Sequence, residues 1–348
     1  MRLFALRSGE APRQIAVSAT DLGYVRIRDG GVTLVGGSAS QPTALIRVDL
    51  RSGREERLLE SGALTIDAGY LSVPRHITFP TSGGCDAFAW YYPPANPEAV
   101  APAGDLPPLV VMSHGGPTGR ARTSLSLVRQ AFTSRGFAVV DVDYRGSSGY
   151  GRAFREELRQ GWGVVDVDDC TDAALWLAVQ GLADHERLAI RGGSAGGFTT
   201  LAALCFRDVF RAGTSFFGLG DLEAVVAGTH KFESRYMDSL VGPYPAEAAR
   251  YRERSPNRHA DGISCPVLVM HGADDKVVPP SEAEGIVAAL QRNGIAHAYL
   301  LFEGEGHGFR QAASQRRALE AELSFYAQVF GFELADDLEP IEIERPRA

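Results

Sequence analysis

A chain of 348 residues that is 45% hydrophobic and 22% charged has the composition of a folded globular protein with room for about two domains. Its formal net charge of −8 excludes the basic surface that a phosphate backbone or anionic lipid requires, so neither nucleic acid nor a membrane is an expected partner. No apolar run reaches the roughly 18 residues of a membrane span, and the N-terminus is too briefly apolar for a signal peptide. Cys85, Cys170, Cys205 and Cys265 lie far apart without a Cys-x-x-Cys, so they read as free thiols in a reducing, cytoplasmic setting.

Taken in chain order, residues 1–72 form a β-only segment. Short strands are predicted at 14–18, 23–27, 32–35, 45–50 and 56–59, separated by turn residues such as Asp29-Gly30-Gly31 and Ser52-Gly53. In the fourth of these, Ile46, Val48 and Leu50 alternate with Leu45, Arg47 and Asp49, the period of two of a half-buried strand. That face needs a covering layer. Residues 73–348 change to strands alternating with helical periods, which predicts an α/β domain with a mostly parallel sheet wrapped by helices. Two leading strands at 76–79 and 87–92 and a Pro-rich linker at 93–108 precede strands at 109–113, 138–144, 188–191, 212–217, 266–271 and 297–302. Helices are predicted over 122–135, 167–180, 195–207, 280–293 and 312–329. The charged, aromatic stretch 220–257 reads as a lid-like insertion.

The chemistry is concentrated at strand ends. Gly192-Gly193-Ser194-Ala195-Gly196 is a G-x-S-x-G between an apolar strand and a helix, the context of a nucleophile elbow, where small neighbours let the backbone double back beneath an exposed serine. A serine hydroxyl is a poor nucleophile until a histidine takes its proton and a carboxylate fixes the histidine tautomer. In this chain order the acid follows the strand 266–271, at Asp274 or Asp275, and the base is His307, set between glycines after the strand 297–302. His271 competes for the base but ends its strand before the acid and reads as structural. His76, His185, His230, His259 and His297 have no comparable placement. His114-Gly115-Gly116-Pro117 ends the strand 109–113 as an HGGG-type loop does, and offers an oxyanion N–H, assigned to Gly116, beside that of Ala195. Asp166, Asp168, Asp169 and Asp172 lack the glycine and terminal glutamate of a calcium loop and are explained by a helix first turn. No dinucleotide, P-loop or zinc pattern is present, so no cofactor and no metal is expected.

These segments, together with Tyr144-Arg145-Gly146-Ser147-Ser148-Gly149-Tyr150-Gly151 and Gly304-Glu305-Gly306-His307-Gly308-Phe309, resemble the catalytic α/β-hydrolase domain of the prolyl oligopeptidase family, on its dipeptidyl and acylaminoacyl peptidase-like branch. The resemblance covers about residue 75 to the C-terminus and places the acid at Asp275, four residues after the histidine that ends its strand. It implies a serine peptidase that hydrolyses short peptides through an acyl-enzyme. An esterase or other acyl hydrolase on the same fold is the alternative, and a noncatalytic interaction module is the outsider, against which an intact Ser194, Asp275 and His307 speak. Two departures stand out. Where the family often carries Arg or Asn two residues after the acid, this chain has Val277. The family also places a β-propeller ahead of the hydrolase, whereas only about seventy residues precede it here. Residues 39–59 resemble the last blade of such a propeller. The resemblance therefore implies either the C-terminal part of a longer protein or a natural short form, and the first predicts a missing propeller portion or a homo-oligomer to cover the β segment.

Overall fold

The computed structural model describes residues 1–228 and 235–345, which divide into two compact units. The first comprises Met1–Arg75, Tyr92–Val100 and Arg122–Gly136. It carries strands β1 (Leu3–Ala5), β2 (Arg13–Ile15), β3 (Asp21–Arg28), β4 (Gly31–Ser38), β5 (Gln41–Asp49) and β6 (Glu55–Glu60), and helix α1 (Leu127–Thr133). The strands β3-β4-β5-β6 form one antiparallel sheet in sequence order, consistent with a propeller blade, and β1 pairs with β2. Alternation along β4 and β5 turns Val32, Leu34, Ile46 and Val48 to one face, where all four are buried. Residues from the β1–β2 end of the chain, Leu3, Ala5, Ile15 and Val17, close over that face. That face is thus covered inside the unit, while Tyr24, Ile27, Leu45 and Leu59 of β3, β5 and β6 stay exposed. Gln130 of α1 explains why residues beyond the β segment join it: its side chain accepts the Ser72 N–H (2.7 Å) and donates to the Ser72 carbonyl (3.1 Å).

The second unit comprises His76–Tyr91, Ala101–Ala121 and Phe137–Ala348. Its strands are β7 (Arg75–Thr81), β8 (Cys85–Tyr92), β9 (Leu109–Ser113), β10 (Ala138–Asp143), β11 (Leu188–Gly193), β12 (Ala212–Phe216), β13 (Val267–Gly272) and β14 (His297–Phe302). They lie in the order β14-β13-β12-β11-β9-β10-β8-β7, and the pairs from β10 through β9, β11, β12 and β13 to β14 are parallel. The helices are α2 (Gly151–Glu156), α3 (Val165–Val179), α4 (Ala195–Phe206), α5 (Leu222–Gly228), α6 (Tyr236–Leu240), α7 (Ala248–Glu253), α8 (Pro280–Arg292) and α9 (Ala312–Phe330). Both faces of the sheet are covered, so its strands are apolar throughout rather than alternating. Leu109, Val111, Val140 and Ile190 join Cys170, Leu177, Phe198, Leu201, Ile286 and Leu290 of α3, α4 and α8 in one core. On the opposite face α9 contributes Tyr326, bonded to Thr214 (2.8 Å), and Glu322, bonded to Arg191 (2.7 Å).

Chain order reverses at β9, with β10 on one side of it and β11 on the other, which opens a crevice at the carboxyl ends of β9 and β11. Five short elements escaped the sequence reading: β1, α2, and α5 to α7, which fill the stretch expected to be a lid. Residues 229–234 of that stretch lie outside the described residues. The acidic run of α3 is also more than a helix dipole. Asp166 accepts the Gly163 N–H and the Thr199 hydroxyl, Asp169 pairs with Arg145 at 2.8 Å and accepts the Thr81 hydroxyl, and Asp168 pairs with Arg207. Asp166 and Asp169 are fully buried, and a buried carboxylate persists only where donors of this kind surround it.

Candidate active site

Ser194 stands between β11 and α4 at φ 57° and ψ −123°, a conformation that L-residues rarely hold. The turn is possible because Gly192, Gly193, Gly196 and Gly197 around it carry no Cβ. One added to Gly196 would lie 2.1 Å from the Ser113 carbonyl oxygen, and one on Gly192 would lie 2.3 Å from the Gly196 oxygen. We therefore expect Gly196→Ala to cost about 3 kcal/mol or more of stability, read as a shift of the denaturant midpoint, because the clash is with backbone that cannot swing away.

The strand ends bring three of the predicted residues together. Ser194 Oγ lies 2.9 Å from His307 Nε2, and His307 Nδ1 lies 2.8 Å from Asp275 Oδ2. A carboxylate accepts only, so Nδ1 carries the ring proton and Nε2 is left to accept from the serine hydroxyl. The other oxygen of Asp275 accepts the N–H groups of Val277 (2.8 Å) and Val278 (2.9 Å). The single residue Asp275 therefore both caps the turn and meets the imidazole. Asp274 points into solvent. His271 is fully buried; its Nε2–H donates to the Val278 carbonyl (2.9 Å) and lies 3.6 Å from Asp275 Oδ2, so it braces the acid's turn. Burial pushes its pKa down. Phe217, at φ 37°, sets its ring edge-on to His307 with centroids 4.9 Å apart, and no sequence signal announces that backbone strain. Val277 is 58% exposed.

The loop after β9 runs beside Ser194: a Cβ on Gly115 would lie 3.5 Å from that of Ser194. Tyr144 holds the loop, its hydroxyl reaching the carbonyls of His114 and Pro117 at 2.9 Å each, and Tyr236 donates to the Gly116 carbonyl at 3.2 Å. Desolvation pushes the His114 pKa down to about 4, so the ring is neutral at pH 7. Its Nδ1–H then serves the Gly115 carbonyl (2.9 Å) and Nε2 accepts the Ser147 hydroxyl (2.7 Å). With their carbonyls tied down, Gly116 and its neighbours have fixed N–H directions. Ala195 opens α4 ahead of the first intrahelical bond, Phe198 N–H to Ser194 carbonyl, so its N–H is one of the unpaired donors of a helix start.

Asp143, which ends β10, is buried and accepts the Ala121 N–H (2.7 Å) and the Tyr150 hydroxyl (2.8 Å), yet desolvation outweighs both bonds and lifts its pKa to about 7. The folded state holds this proton more tightly than the unfolded chain does, so the group's contribution is present below about pH 4 and is lost as pH rises through about 7. Asp143→Asn, which cannot ionise, should gain in melting temperature relative to the parent between about pH 5 and pH 8. Thermal melts of both proteins at the two pH values measure that difference.

Residues 123–333, more than half of the chain, match the prolyl oligopeptidase family of peptidases. The chain belongs to the prolyl oligopeptidase family. Among relatives, dipeptidyl aminopeptidase BIII of Pseudoxanthomonas mexicana is 34% identical over 230 residues, 64% of this chain and 33% of that protein. A puromycin-hydrolysing peptidase of Mycobacterium tuberculosis is similar in structure with a TM-score of 0.93 and 49% identity, over 96% of this chain and 51% of that one. A puromycin hydrolase is similar with a TM-score of 0.94 and 43% identity, over 97% of this chain and 51% of that one. As a member of the prolyl oligopeptidase family, the chain thus spans about half the length of these solved structures and a third of the curated relative. Among the described residues no helix is long and apolar enough to cross a membrane.

Proposed function

We propose that this chain carries the catalytic machinery of a serine peptidase that cleaves short peptides and aminoacyl amides through an acyl-enzyme. The observation that carries the reading is the unbroken relay from Ser194 Oγ through His307 to Asp275, at 2.9 and 2.8 Å, beneath a strained serine. In this reading Ser194 Oγ attacks the scissile carbonyl carbon and its proton passes to His307 Nε2. Asp275 keeps the ring in the required tautomer and stabilises the imidazolium as it forms. The oxyanion meets the N–H groups of Gly116 and Ala195, each worth roughly 3 to 4 kcal/mol in the transition state. Collapse expels the amine, which takes the proton from Nε2, and water repeats the sequence on the acyl-enzyme to restore Ser194. The relatives' names, an aminopeptidase and puromycin-hydrolysing enzymes, support amide rather than ester bonds as the target, and four free cysteines support a reducing compartment such as the cytoplasm.

Turnover of aminoacyl and dipeptidyl anilides, longer peptides and puromycin, set against simple nitrophenyl esters, tests the proposal. Hydrolysis of the amides is the expected result. Activity on esters alone would replace the peptidase reading with an esterase.

A further inference from the structure

The loop that delivers His307 is held by a residue that takes no part in the proton transfer. We propose that Glu305 is a positioning residue that sets the approach of His307 to Asp275, an inference that rests on the acyl-transfer reading above. The residue is 2% exposed, and its two carboxylate oxygens accept from the chain beyond the histidine: Oε2 from the Arg310 N–H at 2.8 Å and Oε1 from the Gln311 N–H at 2.9 Å. The Ser314 hydroxyl is a further partner, and these donors, led by the Arg310 N–H, hold the carboxyl below the usual glutamate range. The carboxylate thus closes residues 306–309 into a turn from the inside.

The backbone of the same residue closes the other side. Asp274 N–H donates to the Glu305 carbonyl at 2.9 Å, next to Asp275 in sequence, and Ala273 N–H donates to the Phe302 carbonyl at 2.9 Å. The two loops meet backbone to backbone: a Cβ on Gly272 would lie 2.4 Å from the carbonyl oxygens of both Glu305 and Gly306. Glu305 is therefore joined to the acid's loop by its carbonyl and to the far arm of the base's loop by its carboxylate. The 2.8 Å contact between His307 and Asp275 lies between those anchors. A carboxylate suits the role because it offers only acceptors, and a buried anion bonded to several N–H groups is more strongly fixed than a neutral amide would be. In a glutamine, one oxygen would become an NH₂ facing a backbone N–H, which releases one arm of the turn.

Glu305→Gln tests this with readouts that a purely stabilising contact would not move. Expected are a fall of about 10- to 100-fold in kcat per titrated active site, with KM within about twofold, because a displacement on the order of 1 Å weakens proton transfer but not substrate binding. The rate of Ser194 labelling by a fluorophosphonate should fall in parallel, and the downfield proton resonance of His307 Nδ1–H should shift or broaden. Ala318→Gly, which weakens the same helix α9 at a buried position that bonds neither Glu305 nor its donors, should lower the melting temperature and leave kcat and labelling unchanged. If Glu305→Gln does not fold, Glu305→Asp, whose shorter arm reaches fewer donors, takes its place under the same readouts. A glutamate variant that melts earlier yet keeps the parent's kcat and labelling rate would overturn the proposal and leave Glu305 a helix-start contact. A parent protein that is not labelled at all would instead sink the acyl-transfer reading.

Discussion

Replacing Ser194 with alanine should lower kcat by about three to six orders of magnitude with KM little changed. The asymmetry reflects the one group removed: alanine fits the space, keeps the backbone donors of the Gly116 loop and of Ala195, and loses only the attacking oxygen. Substrate still binds, but the reaction falls back on a direct attack by water helped by the remaining electrostatics. A fluorophosphonate should label Ser194 in the parent and nothing in the variant, and mass spectrometry of the labelled peptide checks it. Labelling at Ser147 or Ser215, with Ser194 untouched, would move the site elsewhere. Ser147 is occupied with His114, and Ser215 with the Gly197 carbonyl at 3.4 Å, so neither is expected to react.

Asp275→Asn should cost about 10⁴ in kcat, because an amide can present its NH₂ to His307 and favour the wrong ring tautomer. Asp274→Asn should cost less than about threefold, since Asp274 is exposed and its link to the His307 loop runs through its backbone N–H, which the substitution keeps. Steady-state kinetics of the two variants side by side decide the matter. The reverse order would mean that the acid had been assigned one residue too late.

Much of the candidate site was legible in residue patterns. Leu109–Ser113 and Val267–Gly272 are continuous apolar runs because helices cover both faces of their sheet, and the loop after each run lands at the carboxyl edge, where side chains reach a common crevice. That logic marked Ser194, His307 and the Asp274–Asp275 pair. Residue types could not separate the two aspartates, which differ in burial, a tertiary property. Elements stabilised by distant partners were hidden for the same reason: β1 has three residues and exists through its pairing with β2, and α5 to α7 are only five to seven residues long, too short to show a helical period. Glu305 and Tyr144 were visible within motifs without a role, because each acts on backbone groups whose positions only the folded chain defines. An acid between two glycines, just ahead of the histidine, was the available clue to Glu305.

The turn that holds Asp275 has an energetic corollary. One oxygen is committed to Val277 and Val278 and the other to His307, with His271 bracing the far end of the turn through the Val278 carbonyl. With its side chain fully buried and both oxygens bonded, the carboxylate is already oriented before a substrate arrives. Its rotational entropy, on the order of 1 kcal/mol, is surrendered once, during folding, and is absent from the activation barrier of every turnover. Mutations that loosen the 275–278 turn should therefore make the activation entropy more unfavourable while leaving the activation enthalpy nearly in place. An Eyring plot would register such a change even where the rate at one temperature moves little.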